Sequence, residues 1–116
     1  MAGASAELLH HLEVSSRTFL ISDATLPDNP IVYVSPSFCR LTGYSERECI
    51  GRNCRFLQGP GTDPRTRGFM RSALIAGREC SCILLNFSKQ GRPFWNYLYI
   101  SPLLDVGGKV RNFVGV

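Results

Sequence analysis

The order in which strand-forming and helix-forming segments follow one another constrains the fold of this chain more than any other feature. Residues 80–88, 92–101 and 109–116 are rich in β-branched and aromatic residues, and only short turn sequences separate them. Residues 17–23 and 31–35 predict two earlier strands that form an antiparallel hairpin around a proline-containing loop. Strands, then helices, then strands in 116 residues indicate one α+β domain with an antiparallel sheet.

Short helices are predicted between the two groups of strands. Pro36 can open a helix that ends before Gly43. Ser45 and Glu48 have the spacing of a capping box, in which each side chain bonds the backbone of the other residue. Short helices, rather than one long helix, therefore lead up to the segment at 51–59.

A longer helix is predicted over residues 65–76. Asp63 followed by a proline is a good helix start, and Gly77 is a good stop. Helical spacing predicts an apolar face that comprises Phe69, Met70, Ala73 and Leu74.

The N-terminal residues predict a separate flanking element. Leu8, Leu9 and Leu12 have helical spacing within residues 5–14, which indicates a short amphipathic helix. We therefore expect a flanking or cap helix at 1–16 and a folded domain at 17–116. Neither a signal sequence nor a stretch of ~20 apolar residues is present, so we expect an intracellular protein, cytoplasmic or membrane-peripheral as part of a larger receptor.

Positive charge is concentrated in one part of the sequence. The net charge is +4, and the residues from Arg52 to Arg78 include six arginines but only one acid, Asp63. Such a belt is compatible with a solvated surface, with nucleic acid or with the phosphate of a small ligand. We favour the phosphate over nucleic acid, because the arginines straddle Cys54 and then share a predicted helix with core residues.

One cysteine stands out from the others. The sequence GRNCRFLQG at 51–59 places Cys54 among amide and guanidinium groups, and Arg52 and Arg55 are expected to lower its pKa. The cysteines form no C-x-x-C pair and no zinc-like cluster with histidine, so neither a disulfide framework nor a metal site is predicted. They are Cys39, Cys49, Cys54, Cys80 and Cys82.

Two predicted strands each carry one amide among apolar neighbours. With a period of two residues, Asn96 shares a face with Leu98, and Asn86 shares a face with Leu84. A buried amide without a partner costs roughly 1–3 kcal/mol, so both side chains need hydrogen-bond partners. They either bond each other or a loop backbone, or they bind a flat heterocycle with an imide edge.

The opposite face of the same strands is too apolar for a solvated surface. A sheet that is apolar on both faces is usually covered on both. We expect a terminal helix, a homodimer partner or an effector domain to dock there, and the leucines at 8–12 are one candidate. The face comprises Ile83, Leu85, Phe87, Trp95, Tyr97 and Tyr99.

From Thr18 to Val116 the sequence resembles the LOV (light-oxygen-voltage) domains of phototropin-like or fungal photoreceptors, the flavin-binding branch of the PAS superfamily. The resemblance rests on LPDNP at 26–30, GRNCRFLQG at 51–59, Asn86, FWN at 94–96 and FVGV at 113–116. It implies a PAS fold, with a five-stranded antiparallel sheet and short helices enclosing a flavin pocket on one face. It also implies a blue-light photosensory module rather than an enzyme.

The resemblance assigns roles to individual residues. Cys54 would form a reversible adduct with flavin C4a that alters the sheet surface, and Asn86 and Asn96 would bond the pyrimidine edge of the ring. FMN is favoured over FAD because the loop after Gln58 is short. Asn29, Asn53 and Gln58 would meet the ribityl chain, and Arg55 and Arg71 the terminal phosphate. The ring pocket would be lined by Leu20, Ser22, Leu57, Met70, Leu74, Leu98, Ile100 and Phe113.

Two positions depart from the family pattern. Arg67 stands where many relatives have an aliphatic pocket residue, so its side chain either swings out or reaches the phosphate. The sequence ends at Val116, whereas a glutamine follows this position in the family. We therefore expect photochemistry to be retained and signal transmission to be weak.

Two other functions were weighed against the photosensor. A cysteine enzyme would need a base near Cys54, yet His10 and His11 lie far away in the sequence. A light-inert PAS sensor that binds flavin or haem for redox or ligand sensing stays open as the alternative.

Overall fold

A computed structural model of the chain describes Glu7, Leu8, residues 10–12 and residues 15–116. Its strands form one antiparallel sheet in the order β2-β1-β5-β4-β3. The predicted five-stranded antiparallel sheet is therefore confirmed. The strands are β1 (Leu20–Asp23), β2 (Ile31–Val34), β3 (Cys80–Phe87), β4 (Pro93–Leu104) and β5 (Val110–Gly115).

Short helices connect β2 to β3. They are α1 (Pro36–Thr42), α2 (Glu46–Cys49), a 3₁₀ helix (Cys54–Leu57) and α3 (Pro64–Ala76). The caps are those that the sequence predicts: the Ser45–Glu48 capping box opens α2, and Asp63 caps α3. Gly77 ends α3 with φ 67°, in the left-handed region that a residue without a Cβ adopts at low cost.

The ends of two strands differ from the prediction. Strand β1 begins at Leu20 rather than at residue 17, because the Phe19 N–H donates to the side chain of Ser35 instead of a strand backbone. Strand β4 continues past Ser101 through Pro102, which has no N–H to donate. Proline is tolerated there because β3 pairs with β4 only as far as Ile100, which leaves one edge of β4 free.

Helix α3 packs on the inner face of the sheet. Met70 and Ala73 are buried in a cluster with Leu84, Ile100 and Phe113, and Leu74 packs against it. The prediction that Phe69 belongs to this apolar face is wrong, because Phe69 is 58% exposed. One residue turns a helix by about 100°, so Phe69 lies to one side of the face that Met70 buries.

Described residues of the N-terminal segment pack on the outer face of β1 and β5. The described residues of this segment, Glu7, Leu8 and 10–12, are helical, and the rest of the helix predicted at 5–14 lies outside the described residues. Leu12 is 6% exposed and packs with Phe19, Ile21 and Val114 on β1 and β5. Leu8 and Leu12 thus pack on the β1 and β5 side, whereas the outer face of β3 and β4 exposes Ile83, Trp95, Tyr97 and Tyr99.

Candidate functional site

A cavity lies between the inner face of the sheet and the helices. The space between its lining atoms, including the open mouth, is about 760 Å³. The walls are mainly apolar and a few polar side chains reach into it. Most of the predicted site residues line this cavity, namely Leu20, Ser22, Asn29, Cys54, Leu57, Gln58, Met70, Leu74, Asn86, Asn96, Leu98, Ile100 and Phe113.

The 3₁₀ helix delivers Cys54 to the cavity. Asn53 caps this helix, since its Oδ1 accepts from the Arg55 N–H at 3.0 Å. The Asn53 Nδ2 also donates to the Asp28 carbonyl at 2.8 Å, which ties the helix to the loop before β2. Asn53 therefore holds Cys54 in place, and it does not itself line the cavity.

The thiol of Cys54 is half-buried, and its pKa is raised. Desolvation is the main cause; the charge of Arg55 lowers the pKa without reversing the effect, and Asp28 adds to the rise. The expectation that the neighbouring arginines give Cys54 a net lowered pKa is therefore wrong: Arg55 lowers this pKa, as expected, but by less than desolvation raises it. Arg52 lies over the Phe56 ring, 5.3 Å from its centroid, and Arg55 pairs with Asp28. Cys54 is consequently a neutral thiol at pH 7.

The two inward amides bond each other, as one of the open alternatives holds. Asn96 Nδ2 donates to Asn86 Oδ1 at 3.0 Å, and Asn86 Nδ2 donates to the Leu85 carbonyl at 3.2 Å. Asn86 is buried, and both amides line the cavity. Within the described residues, Asn96 Oδ1 accepts no hydrogen bond, so a residue that lines the cavity retains a free acceptor.

Asn29 supplies a third polar group. Its Oδ1 is buried and has no hydrogen-bond partner among the described residues, although it lines the cavity. Asp28 and Asn29 both adopt left-handed backbone angles, with φ 65° and 49°, which aspartate and asparagine tolerate better than most residues. A buried acceptor without a partner costs about 1–3 kcal/mol, so this atom fits a cavity whose ligand donates a hydrogen bond.

The two arginines predicted to hold a phosphate lie outside the cavity lining. Arg55 forms a bidentate ion pair with Asp28, and its Nη1 lies 2.9 Å from Asp28 Oδ1. This pairing lowers the pKa of Asp28 and raises that of Arg55. Arg71 is exposed on α3 and makes no ion pair with the described residues, and Arg67 is exposed as well. Of the two options for Arg67, the structure has the side chain pointing outward.

Some cavity residues were not predicted. Leu84 and Phe94 share strand faces with the two asparagines, so the period-two pattern already indicates them. No comparable pattern predicts the cavity side chains of α1, because the sequence indicates where that helix begins and ends but not which of its faces is buried. The other residues missed are Thr18, Phe19, Phe38, Leu41, Thr42, Gly115 and Val116.

Neither histidine in the described residues lines the cavity, and no cluster of metal-ligating side chains occurs there. No helix in the described part of the chain is both long and apolar enough to span a bilayer.

Sequence and structure comparisons agree with this architecture. Residues 17–116 match the family described as PAS domain. The sequence is 50% identical to Phototropin-2 of Oryza sativa subsp. japonica over 112 residues, which are 97% of this chain and 12% of that protein. It is 47% identical over 103 residues to a blue-light-activated histidine kinase of Brucella anthropi, covering 89% of this chain and 21% of the kinase. The chain thus spans a small part of these relatives.

A solved light-oxygen-voltage domain, studied with a flavin analogue, superposes with a TM-score of 0.94. It is 48% identical, and the match covers 98% of this chain and 85% of that one. Cavity, fold and matches together define the class as a PAS sensor domain. Within the PAS family, the chain belongs to the LOV domains.

Proposed function

We propose that this chain is a blue-light photosensory module that binds a flavin and reacts with it through Cys54. The observation that carries the proposal is one cavity lined by a neutral thiol, by a linked pair of amides and by a buried acceptor without a partner. When bound, the flavin would supply blue-light absorption, the electrophilic C4a carbon and the N5 nitrogen that takes up a proton, while Cys54 would supply the thiol sulfur and that proton. Relatives named for blue light support the same reading.

Each polar residue has a task in this proposal. Asn86 and Asn96 present an amide donor and an acceptor to the imide edge of the ring. Asn29 and Gln58 bond the ribityl chain, and the apolar residues on α3 and the sheet pack against the ring. Cys54 holds its proton at Sγ in the dark, because desolvation disfavours the thiolate.

FMN is the flavin that we propose, in preference to FAD. The loop after Gln58 is short, and Thr62 holds it against β3 by donating to the Leu85 carbonyl at 2.7 Å. A Cβ on Gly59 would lie 2.8 Å from the Phe87 ring, so this loop packs closely on the sheet. Arg55 and Arg71 would hold the phosphate. For this, Arg55 would exchange its ion pair with Asp28 for one with the phosphate.

The exposed outer face of β3 and β4 is the proposed output surface. Successive residues of a strand point to opposite faces, so the neighbours of Asn86 and Asn96 along β3 and β4 lie on the outer face. A change in the hydrogen bonds of either asparagine can therefore reach that face through the strand backbone. Trp95 and Tyr97 are 65% and 76% exposed, and Ile83 and Tyr99 lie beside them. We propose that an effector domain or a second protomer docks there, since the described residues of the N-terminal segment pack on the β1 and β5 side instead.

An absorbance spectrum with a light and dark cycle tests the proposed chemistry. The purified protein should be yellow, lose its blue absorption under blue light and regain it in darkness. Cys54→Ala should keep the colour and lose the reversible bleaching. Cys39→Ala is a matched control, because Cys39 is also half-buried but does not line the cavity. A yellow wild-type protein that is inert to light would favour the redox or ligand sensor instead, and chromatography of the released flavin distinguishes FMN from FAD.

A further inference from the structure

The solvent side of α3 combines exposed apolar and basic side chains. Phe69 and Ile75 are 58% and 77% exposed, although α3 buries Met70 and Ala73 on its other side. Gly68 and Ser72 lie between them on the helix surface, and both are exposed. Because these two residues are small, Phe69 and Ile75 project beyond the backbone between them.

The charge of α3 itself is entirely positive, and the acids that flank it are Asp63 and Glu79. Helix α3 contains no acidic residue, and Arg78 follows its C-terminal cap. Arg65 is 94% exposed, and its Nε lies 3.6 Å from Asp63, which is a weak solvent-screened pair. Arg67 and Arg78 are exposed and form no ion pair with the residues that the structure describes. This surface therefore complements an anionic partner.

We propose that the outward face of α3 binds the surface of an anionic phospholipid bilayer. Phe69 and Ile75 enter the boundary between headgroups and acyl chains, and Arg65 and Arg78 contact lipid phosphates. Arginine suits this position because its apolar stem can lie along the boundary while the guanidinium stays at the phosphate level. Arg71 is not expected to contact lipid, because it is proposed to hold the flavin phosphate.

The apolar side chains favour a bilayer over nucleic acid. Binding to a phosphate backbone needs basic residues, and binding to bases needs aromatic or hydrogen-bonding groups. Ile75 offers none of these, yet it is among the most exposed large hydrophobic residues described. In a bilayer boundary, by contrast, an aliphatic side chain at the centre of a basic surface adds to binding.

The position of α3 fits the proposed output surface. Because α3 packs on the inner face of the sheet, contact through its solvent side leaves the outer face of β3 and β4 free for a partner. Neither Phe69 nor Ile75 lines the cavity, so the inference does not depend on the proposed light chemistry.

Flotation with lipid vesicles tests the proposal. The flavin-loaded chain is mixed with vesicles of phosphatidylcholine alone or of phosphatidylcholine with phosphatidylserine, at low and at raised salt. At low salt we expect most of the protein to float with the anionic vesicles. The floating fraction should be much smaller at raised salt, and it should be small with neutral vesicles. Arg65→Glu combined with Arg78→Glu should lower partitioning by about tenfold or more.

Matched variants separate this face from general charge and hydrophobicity. Ile75→Ser should weaken flotation, whereas Leu104→Ser at the end of β4 should not, although Leu104 is 52% exposed. Arg92→Glu, in the turn before β4, reverses a charge outside α3, so it should change flotation much less than the variant at Arg65 and Arg78. The flavin spectrum of each variant checks folding. The proposal is overturned if the wild type does not float with anionic vesicles, if Leu104→Ser weakens flotation as much as Ile75→Ser, or if a competing RNA abolishes flotation while Ile75→Ser has no effect.

Discussion

Asn96 and Asn86 are diagonal neighbours on β4 and β3, and the Asn96 Nδ2 donates to Asn86 Oδ1 at 3.0 Å. Directly across the ladder, Asn96 faces Leu84 and Asn86 faces Phe94. The diagonal bond links the two amides into one unit, and both residues line the cavity. The alternative reading of the sequence, in which they bond each other, is thus compatible with their binding a ligand.

Replacing Asn96 with alanine should weaken flavin retention. The change removes the acceptor at the cavity and leaves the buried Asn86 Oδ1 without its donor. We expect the flavin dissociation constant to rise by about tenfold or more. Fluorescence titration of the flavin-free protein measures this. Tyr97→Phe, on the opposite face of the same strand, is the control, and an unchanged affinity for Asn96→Ala would show that this amide does not bind the ligand.

The Arg55–Asp28 pair should control the preference for a flavin with a phosphate. Arg55→Met should lower the ratio of FMN affinity to riboflavin affinity by about tenfold, because one charge-assisted contact is lost. Asp28→Asn should raise that ratio, since Arg55 no longer has an anionic partner to exchange. Isothermal titration with both flavins measures each ratio. Equal ratios in the wild type and both variants would show that Arg55 does not bind the phosphate.

The Glu48–Lys89 pair should make stability depend on acid pH. Their side chains lie 2.5 Å apart, and this hydrogen bond, helped by the Ser45 backbone, lowers the Glu48 pKa from 4.5 to about 2. A carboxyl whose folded pKa is depressed stabilises the fold above its unfolded pKa and loses this contribution as pH falls through its folded pKa. We therefore expect a loss between about pH 4.5 and pH 2 that is smaller in Lys89→Met. Urea unfolding across this window tests it, and identical pH profiles would contradict it.

Leu12 should contribute to the stability of the domain although it lies outside the sheet. It is 6% exposed and packs against Phe19, Ile21 and Val114. Leu12→Ala should lower the free energy of unfolding by about 2 kcal/mol. Leu104→Ala makes the same change at a residue that is 52% exposed, so its effect should stay within about 0.5 kcal/mol. Chemical denaturation measures both, and equal effects would mean that the N-terminal segment does not stabilise the domain.

Local signals in the sequence account for most of the fold. The capping box at Ser45 and the helix end at Gly77 depend on residues that are close in sequence, and the structure has both. Strand faces follow from the period of two, so Asn86 and Asn96 were placed on the correct face. The same period of two residues placed Ile83, Trp95 and Tyr97 on the opposite, outer face of the sheet.

Long-range contacts account for what the sequence did not predict. Arg55 pairs with Asp28, which is 27 positions away, and no local pattern indicates which partner a surface arginine selects. The raised pKa of Cys54 has a similar origin, since its desolvation depends on cavity walls from distant elements, whereas the sequence shows only the neighbouring arginines. The burial of Leu12 against β1 and β5 likewise depends on the assembled sheet.

The proposed photochemistry requires a neutral Cys54 thiol that reacts with the flavin in light. Infrared spectroscopy observes that thiol directly. A light-minus-dark difference spectrum in the S–H stretching region should show one band lost on illumination and regained in darkness. Cys54→Ala should show no such band, while Cys39→Ala should behave like the wild type. Loss of the blue flavin absorption with an unchanged S–H region would contradict the account.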